Sequence, residues 1–180
     1  VCSSDLEGDV PKLYTRGDGK IGQDVSYLIP YLKLPKDSGI VIRGEFIIKR
    51  AVFKEKYSAK FSNSRNLVAG IVNAKSLDDK IRDVDFVAYE VIRPENLVPS
   101  KQMEKLKNSN IFVVQNRNLS TAELTNENLS QILKDWRENH IYEIDGIIVS
   151  DDKVYPRTSG NPDHSFAFKM VLSEDRKSTR

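Results

Sequence analysis

Strand-like and helix-like segments follow one another irregularly along this chain, and their order limits the fold more than any other feature. Residues 40–48 and 84–92 are mostly apolar and rich in β-branched side chains, which favours buried strands. Residues 62–73 instead have helical spacing, with Leu67, Val68 and Ile71 on one face, and residues 125–139 have the same spacing after a cap at Thr125 or Asn126. Further strands are predicted near residues 13–14, 111–115, 144–149 and 166–172, and further helices at residues 49–57 and 100–108. Because no regular strand–helix–strand repeat is present, we predict a mixed α+β fold with largely antiparallel strands.

The composition excludes several classes of protein. The chain has 180 residues, of which 39% are hydrophobic and 30% charged, so it is long and apolar enough to fold around a core. The formal net charge of +2 argues against a uniformly basic nucleic-acid coat but allows a local basic groove. The single cysteine, Cys2, excludes an internal disulfide and a cysteine-rich zinc site. No apolar run approaches the length of a membrane span, so we expect no membrane partner and a cytoplasmic protein.

One glycine pattern resembles a dinucleotide-binding fingerprint. Gly17, Gly19 and Gly22 have the spacing of that motif, which requires a long helix to begin at the same turn. Pro30 follows soon afterwards, and residues 23–29 do not have a helical pattern. We therefore predict a turn rather than a Rossmann site.

Several charged residues lie within or beside apolar segments. Arg43 and Glu45 flank a glycine in segment 40–48, Asp145 lies near the start of segment 144–149, and Lys169 lies in segment 166–172. Each alone could face solvent at the edge of a strand. Together they suggest one cleft that binds a phosphate ester and a divalent metal, because buried charges require partners.

Six short motifs, in order along the chain, resemble those of one enzyme family, the NAD-dependent DNA ligases. The residues of these motifs resemble in particular the versions found in large DNA viruses and some phages. The matching segments are residues 13–24 (TRGDGxxGED), 43–46 (RGE), 61–70 (FxNPRNxxAG), 86–89 (a strand ending in tyrosine), 137–149 (R…YEIDGVV) and 167–170 (AFKF).

The resemblance implies a fold and a reaction. The fold would be the α+β nucleotidyltransferase (adenylation) core of DNA ligases, with mainly antiparallel sheets, flanking helices and an N-terminal truncation. In this family a lysine attacks the α-phosphate of NAD, AMP passes to the 5′-phosphate at a nick, and the 3′-hydroxyl then seals the strand. The cofactors would be NAD and Mg²⁺, the partner nicked double-stranded DNA, and the intact enzyme a monomer in the nucleoid or a viral replication compartment.

The resemblance also implies roles for individual residues. Glu45 would hold the AMP ribose and help to organise the metal, and Tyr89 would stack on adenine. Asp145 would help to bind Mg²⁺, and Lys169 would contact the α-phosphate during attack. Phosphates of the adenylate or of the nicked strand would be bound by three arginines, namely Arg16, Arg65 and Arg137.

The chain departs from the family pattern at several positions. The nucleophilic lysine of the family lies in a Lys-x-Asp-Gly motif, which this sequence lacks. Arg16 precedes Gly-Asp-Gly in a similar pattern, but an arginine cannot be deprotonated to attack phosphorus. We therefore expect the nucleophile to lie upstream and this chain alone to be inactive. Four other positions carry residues unusual for the family, namely Gln23, Ser64, Asn73 and Ser150.

Both ends resemble a translated sequencing adaptor. Residues 1–6 can be encoded by GTG TGC TCT TCC GAT CT, and residues 174–180 by GAA GAT CGG AAG AGC ACA CG, which contains the reverse complement of the first string. We therefore expect residues 7–173 to be a partial adenylation domain with foreign segments on either side. A truncated sheet would leave a strand position open.

Two other readings compete with this one. An ATP-dependent DNA or RNA ligase would share the nucleotidyltransferase core. A non-catalytic domain that binds nucleotide or nicked DNA would keep the same binding residues. A Lys-x-Asp-Gly motif in the upstream gene would exclude the second alternative.

Overall fold

The computed structural model describes residues 2–5, 10–17, 22–74, 76–157 and 162–170. The chain divides into two compact units, residues 1–116 and residues 117–180. The ends beyond these ranges, including residues 174–180, lie outside the described part of the chain.

Strands and helices alternate irregularly, as predicted. The strands are β1 (Cys2–Asp5), β2 (Lys12–Thr15), β3 (Val41–Ile48), β4 (Val84–Arg93), β5 (Phe112–Val113), β6 (Ile147–Ser150) and β7 (Ser165–Phe168). The helices are α1 (Arg50–Lys56), α2 (Ser64–Val72), α3 (Pro99–Asn108) and α4 (Asn126–Asn139), with short 3₁₀ helices at Ser26–Tyr31, Asp79–Asp83 and Thr121–Glu123. The helix that follows the glycine-rich turn in the described residues is a six-residue 3₁₀ helix, and the dinucleotide fingerprint requires a long helix there. This agrees with rejecting a Rossmann site.

The first unit is built on a five-stranded sheet in the order β2-β1-β3-β4-β5. All neighbours in this sheet pair antiparallel except β4 and β5, which are parallel. The second unit contains the antiparallel pair β6–β7. The α+β prediction with mainly antiparallel strands is therefore confirmed.

The core of the first unit lies on one face of β3 and β4. Successive side chains of a strand point to opposite faces, and alternate residues of β3 (Ile42, Gly44, Phe46, Ile48) are buried. The rings of Phe46 and Phe86 pack edge to face, with centroids 5.6 Å apart. Helix α2 contributes the buried side chains predicted from its sequence, namely Leu67, Val68 and Ile71.

Helix capping follows the sequence closely. Asn63 caps α2, because its Oδ1 accepts a hydrogen bond from the Asn66 backbone N at 2.8 Å. Thr125 caps α4 in the same way, with its Oγ1 3.2 Å from the backbone N of Asn128. The buried stripe of α4 consists of Leu129, Ile132 and Leu133, while Trp136 is half-buried.

Two strand boundaries in the second unit differ from the prediction. Strand β6 begins at Ile147, so Asp145 precedes the strand rather than lying in it. Strand β7 ends at Phe168, so Lys169 follows the strand. The ladder stops at the Ile147–Phe168 pair, and carbonyl groups of both segments beyond it accept hydrogen bonds from the side chain of Arg137.

Residues that we expect to be foreign form an inner strand. Strand β1 lies between β2 and β3, with Cys2 opposite both Thr15 and Gly44. The position expected to be open is thus occupied. Backbone pairing uses N–H and C=O groups, which every residue except proline supplies, so a foreign extended segment without proline can fill the gap between two strand edges.

Among the residues that the structure describes, no helix is both long enough and apolar enough to cross a membrane.

Candidate active site

Glu45 lies in the middle of β3 on the exposed face of the sheet. Its neighbours along the strand, Gly44 and Phe46, are buried on the opposite face. In the β3–β4 ladder Glu45 is directly opposite Val87. The carboxylate is therefore accessible to a ligand although the strand around it is apolar.

Gly44 is required by the packing of an aromatic ring. A Cβ atom at this position would lie 2.6 Å from Cε1 of Phe86 and 2.6 Å from the carbonyl oxygen of Val87. The absence of a side chain leaves room for the Phe86 ring beside Gly44, while the same ring packs edge to face on its cross-strand partner Phe46. The packing of Phe86 thus explains why the RGE motif has a glycine at position 44. The neighbouring Glu45 remains exposed.

Tyr89 is the extra residue of a β-bulge. Arg43 pairs with Glu90 and Gly44 with Ala88, so the register shifts by one residue at Tyr89. A bulge of this kind changes the direction of a side chain relative to its strand. The tyrosine is half-buried and lies two positions beyond Val87, the residue opposite Glu45.

Arg16 follows β2 at the start of the glycine-rich turn, and its side chain is exposed. The turn is closed by paired bonds: the Thr15 backbone N donates to the Gln23 carbonyl at 2.9 Å, and the Gln23 backbone N donates to Thr15 Oγ1 at 3.1 Å. Hydrogen bonds from Ser26 lower the pKa of Asp24. Residues 18–21 of the turn lie outside the described part of the chain.

Arg65 lies in the first turn of α2 and is exposed. At the other end of this helix, Asn73 is the C-cap residue, and its Nδ2 donates to the carbonyl oxygen of Ala69 at 2.9 Å. The asparagine that replaces an arginine of the family pattern therefore ends the helix here.

Arg137 connects the two segments that carry Asp145 and Lys169. Its Nε donates to the carbonyl oxygen of Ile144 at 3.0 Å and its Nη2 to that of Asp145 at 2.6 Å. Its Nη1 donates to the carbonyl oxygen of Met170 at 2.9 Å. Both Asp145 and Lys169 have exposed side chains.

Gly146 allows these two segments to approach closely. A Cβ atom at this position would lie 2.7 Å from the carbonyl oxygen of Phe168 and 2.8 Å from Cγ of Lys169. The structure therefore brings Arg137, Asp145 and Lys169 together in the second unit. The remaining predicted residues, Arg16, Glu45, Arg65 and Tyr89, all lie in the first unit.

Comparison with known proteins identifies the family. The chain matches the NAD-dependent DNA ligase adenylation domain over residues 6–170. It belongs to that family. The match includes all seven residues that the sequence analysis selected.

Individual relatives of this adenylation domain are viral and bacterial. A DNA ligase of Acanthamoeba polyphaga mimivirus is 39% identical over 93% of this chain, and a putative DNA ligase of invertebrate iridescent virus 6 is 38% identical over 88%. A DNA ligase of Natranaerobius thermophilus is 34% identical over 89%. The chain spans about a quarter of the length of these curated relatives, since it covers 27%, 28% and 27% of them.

The adenylation domain has no preformed all-protein metal cage in the residues described. No group of three or more histidine, cysteine, aspartate or glutamate side chains lies together there. Mg²⁺ usually keeps several waters and is bound by one or two carboxylates together with substrate phosphates. An exposed Asp145 or Glu45 carboxylate fits that mode of binding, which needs no cluster.

Sequence reasoning missed one group that holds the β6–β7 connection. The Tyr155 hydroxyl donates to Asp151 Oδ2 at 2.5 Å, and the Tyr155 ring stacks on His164 with centroids 4.0 Å apart. The hydrogen bond from Tyr155 is the main cause that lowers the pKa of Asp151. No spacing rule pairs residues nine positions apart in the sequence, so the sequence carried no signal for this contact.

Proposed function

We propose that this adenylation domain is part of a ligase that uses NAD and Mg²⁺ to seal nicks in double-stranded DNA. A lysine nitrogen, supplied by another part of that ligase, attacks the α-phosphorus of NAD. The N–P bond forms, the bond between that phosphorus and the bridging oxygen breaks, and nicotinamide mononucleotide leaves. AMP then passes to the DNA 5′-phosphate, and attack by the 3′-hydroxyl releases AMP and joins the strand.

The proposed roles follow from charge and exposure. Lys169 contacts the α-phosphate, where a fixed cation stabilises the negative charge that develops on phosphoryl oxygens. Asp145 and Glu45 hold Mg²⁺, which supplies electrostatic stabilisation when bound. Tyr89 stacks on adenine, and Glu45 also accepts a hydrogen bond from the ribose.

Two exposed arginines are the proposed phosphate ligands. Arg16 and Arg65 have exposed side chains and bind phosphates of the adenylate or the nicked strand through their planar forks. The phosphate role that the resemblance implies for Arg137 stays a prediction, and the contacts of its guanidinium suggest another one, argued below. We expect the intact enzyme to act as a monomer.

One observation supports this proposal more than any other. The segments that carry Asp145 and Lys169 come into contact at Gly146, while both charged side chains remain exposed. A carboxylate that can bind a metal and a cation that can bind a phosphate thus lie on two backbone segments that contact each other. This is the pair of charges that transfer of an adenylyl group requires.

Substitution of these two residues in the full-length ligase tests the proposal. Asp145→Asn and Lys169→Ala should each lower the rate of nick sealing by about 100-fold or more, the usual effect of removing one group that stabilises a transition state. Asp163→Asn and Lys134→Ala are matched controls, because both residues are exposed charges of the same unit with no proposed role. Sealing by Asp145→Asn or Lys169→Ala at the control rate would refute the assignment.

The choice of nucleotide is tested separately. The full-length ligase is incubated with Mg²⁺ and either NAD or ATP, each labelled in the adenylate group. We expect covalent label from NAD alone. Label from ATP alone would favour the ATP-dependent alternative, and label from neither, with retained binding of nicked DNA, would favour a non-catalytic domain.

A further inference from the structure

Arg137 is half-buried in the last turn of α4 and directs its guanidinium at backbone atoms. Three carbonyl oxygens accept its hydrogen bonds, those of Ile144, Asp145 and Met170, at 3.0, 2.6 and 2.9 Å. Two of these groups precede β6 and the third follows β7. One side chain therefore links both segments of the proposed catalytic pair.

These bonds begin where the strand pairing ends. The β6–β7 ladder extends from the Ser150–Ser165 pair to the Ile147–Phe168 pair and does not include Asp145 or Lys169. Beyond the last pair, the hydrogen bonds of Arg137 join the two backbone segments in place of the ladder. Asp145 carries one of the three carbonyls, and Lys169 directly precedes Met170, which carries another.

Helix α4 is itself anchored to the same strands. Ile132 and Leu133 form a buried cluster with Ile147, and Ile144, Phe168 and Met170 pack against that cluster. The guanidinium thus extends from a helix whose position is set by apolar packing. Because Leu133 lies one turn from Arg137 and is fully buried, it offers a way to disturb the helix without touching the guanidinium.

Only arginine has the geometry for this contact. Its guanidinium is planar and offers donors in three directions in a rigid fork, whereas the lysine ammonium is a single nitrogen on a flexible stem. A lysine at this position would keep the positive charge but could not reach the three carbonyl oxygens together. Charge and geometry can therefore be separated by one substitution.

We propose that Arg137 is a positioning residue that fixes Asp145 relative to Lys169, and thereby aligns the metal with the α-phosphate. This inference rests on the proposed function of those two residues. It differs from a phosphate-binding role, in which the guanidinium would contact DNA or nucleotide directly.

The test compares Arg137→Lys and Arg137→Ala with Leu133→Ala and Lys134→Ala in the full-length ligase. The substrates are NAD and nicked DNA, so that attack on the α-phosphorus is part of the measured rate. For each variant three quantities are measured: kcat for sealing, the Mg²⁺ concentration at half-maximal rate, and the slope of log Kd for nicked DNA against log salt concentration. We expect both Arg137 variants to lower kcat at least tenfold and to require severalfold more Mg²⁺, with the salt slope unchanged.

Two outcomes of these measurements would overturn the inference. A protein cation that binds a DNA phosphate contributes about one to the salt slope. A slope reduced by about one in Arg137→Ala, with unchanged Mg²⁺ dependence, would make Arg137 a phosphate ligand. The same kinetic defects in Leu133→Ala, at an equal or larger loss in Tm, would reduce its role to general stability.

A spectroscopic measurement examines the contact without catalysis. In the 180-residue chain, the Nε–H proton of Arg137 should exchange with solvent slowly, because it donates to the Ile144 carbonyl. Exchange as fast as in a free arginine would overturn the inference. Failure of the proposed function is distinguishable, since it appears as normal sealing by Asp145→Asn while this proton remains protected.

Discussion

Arg43 and Glu90 form an ion pair across the β3–β4 ladder, with Nη1 of the arginine 3.3 Å from Oε2 of the glutamate. The pair lies directly beside the bulge, at the point where the register shifts by one residue at Tyr89. Cross-strand pairs of opposite charge stabilise a sheet modestly. This pair holds the two strands in register on one side of Tyr89, and the Gly44–Ala88 pair does so on the other.

The bulge suggests a prediction for Tyr89. Tyr89→Ala in the full-length ligase should raise the KM for NAD by about 5- to 150-fold, because stacking of a base on an aromatic ring is worth about 1–3 kcal/mol. Tyr89→Phe should stay within a few fold of the original enzyme, since the ring is kept. Initial rates of self-adenylation over a range of NAD concentrations measure both, with Tyr27→Ala, at a more exposed tyrosine of the same unit, as control. A normal KM in Tyr89→Ala would exclude the stacking role.

The two described glycines of β3 and α2 should respond oppositely to alanine. Gly44→Ala places a methyl group against the Phe86 ring and should destabilise the β3–β4 pair by about 1–3 kcal/mol. Gly70→Ala places one in open space within a helix and should stabilise α2 by about 0.5–1 kcal/mol. Hydrogen exchange of the strand and helix amides in the 180-residue chain measures each effect locally. An unchanged β3–β4 exchange rate in Gly44→Ala would contradict the packing argument.

Tyr57 gives the first unit a defined dependence on alkaline pH. Burial, together with the hydrogen bond to Asp83 at 2.6 Å, raises the pKa of Tyr57 to about 12. Because the folded-state pKa lies above the ordinary value near 10, this stabilisation is complete below about pH 10 and is lost as the pH rises towards 12. Absorbance of tyrosinate at alkaline pH should therefore show a contribution that titrates near pH 12 and that Tyr57→Phe removes. Tyr27→Phe calibrates the signal of a single tyrosine, and a titration unaltered by Tyr57→Phe would argue against the contact.

Asp83, the hydrogen-bond partner of Tyr57, makes the stability of the first unit depend on acidic pH as well. Burial alone would raise the pKa of Asp83, but hydrogen bonds from Tyr57 and Lys56 outweigh it and the net pKa is lowered. Stability from this group is therefore present above its ordinary pKa and lost as the pH falls through the lowered value. Tyr57→Phe should weaken this acid dependence too, as measured by urea unfolding between about pH 2 and pH 6. An acid dependence as steep as in the unsubstituted chain would show that the hydrogen bond from Lys56 alone is sufficient to lower the pKa of Asp83.

The 180-residue chain should not become labelled by NAD. Its sequence contains no Lys-x-Asp-Gly motif, and the arginine at position 16 cannot act as the nucleophile. Incubation with NAD labelled in the adenylate group and Mg²⁺, followed by denaturing electrophoresis, measures this directly, with the full-length ligase as the positive control. A labelled band from the chain alone would mean that another side chain accepts the adenylate.

Much of the local structure could be derived from the sequence alone. The apolar run around Ile42 and Phe46 predicted β3, and the helical spacing of Leu67, Val68 and Ile71 predicted α2 and its buried face. Thr125 was recognisable as a cap because its side chain acts on a neighbour three residues away. Such features depend on interactions within a few residues, so the order of the side chains determined them.

The tertiary structure decided what depends on distant partners. The bulge at Tyr89 arises from the register between β3 and β4, and the carbonyl groups beyond the paired part of β6 and β7 are bound by Arg137 from another element. The sequence indicated that Asp145 and Lys169 belong to one site through a family likeness, but it contained no rule for how the two segments meet. Their contact at Gly146 requires backbone atoms more than 20 residues apart to approach within a few ångströms, and only the folded chain fixes such distances.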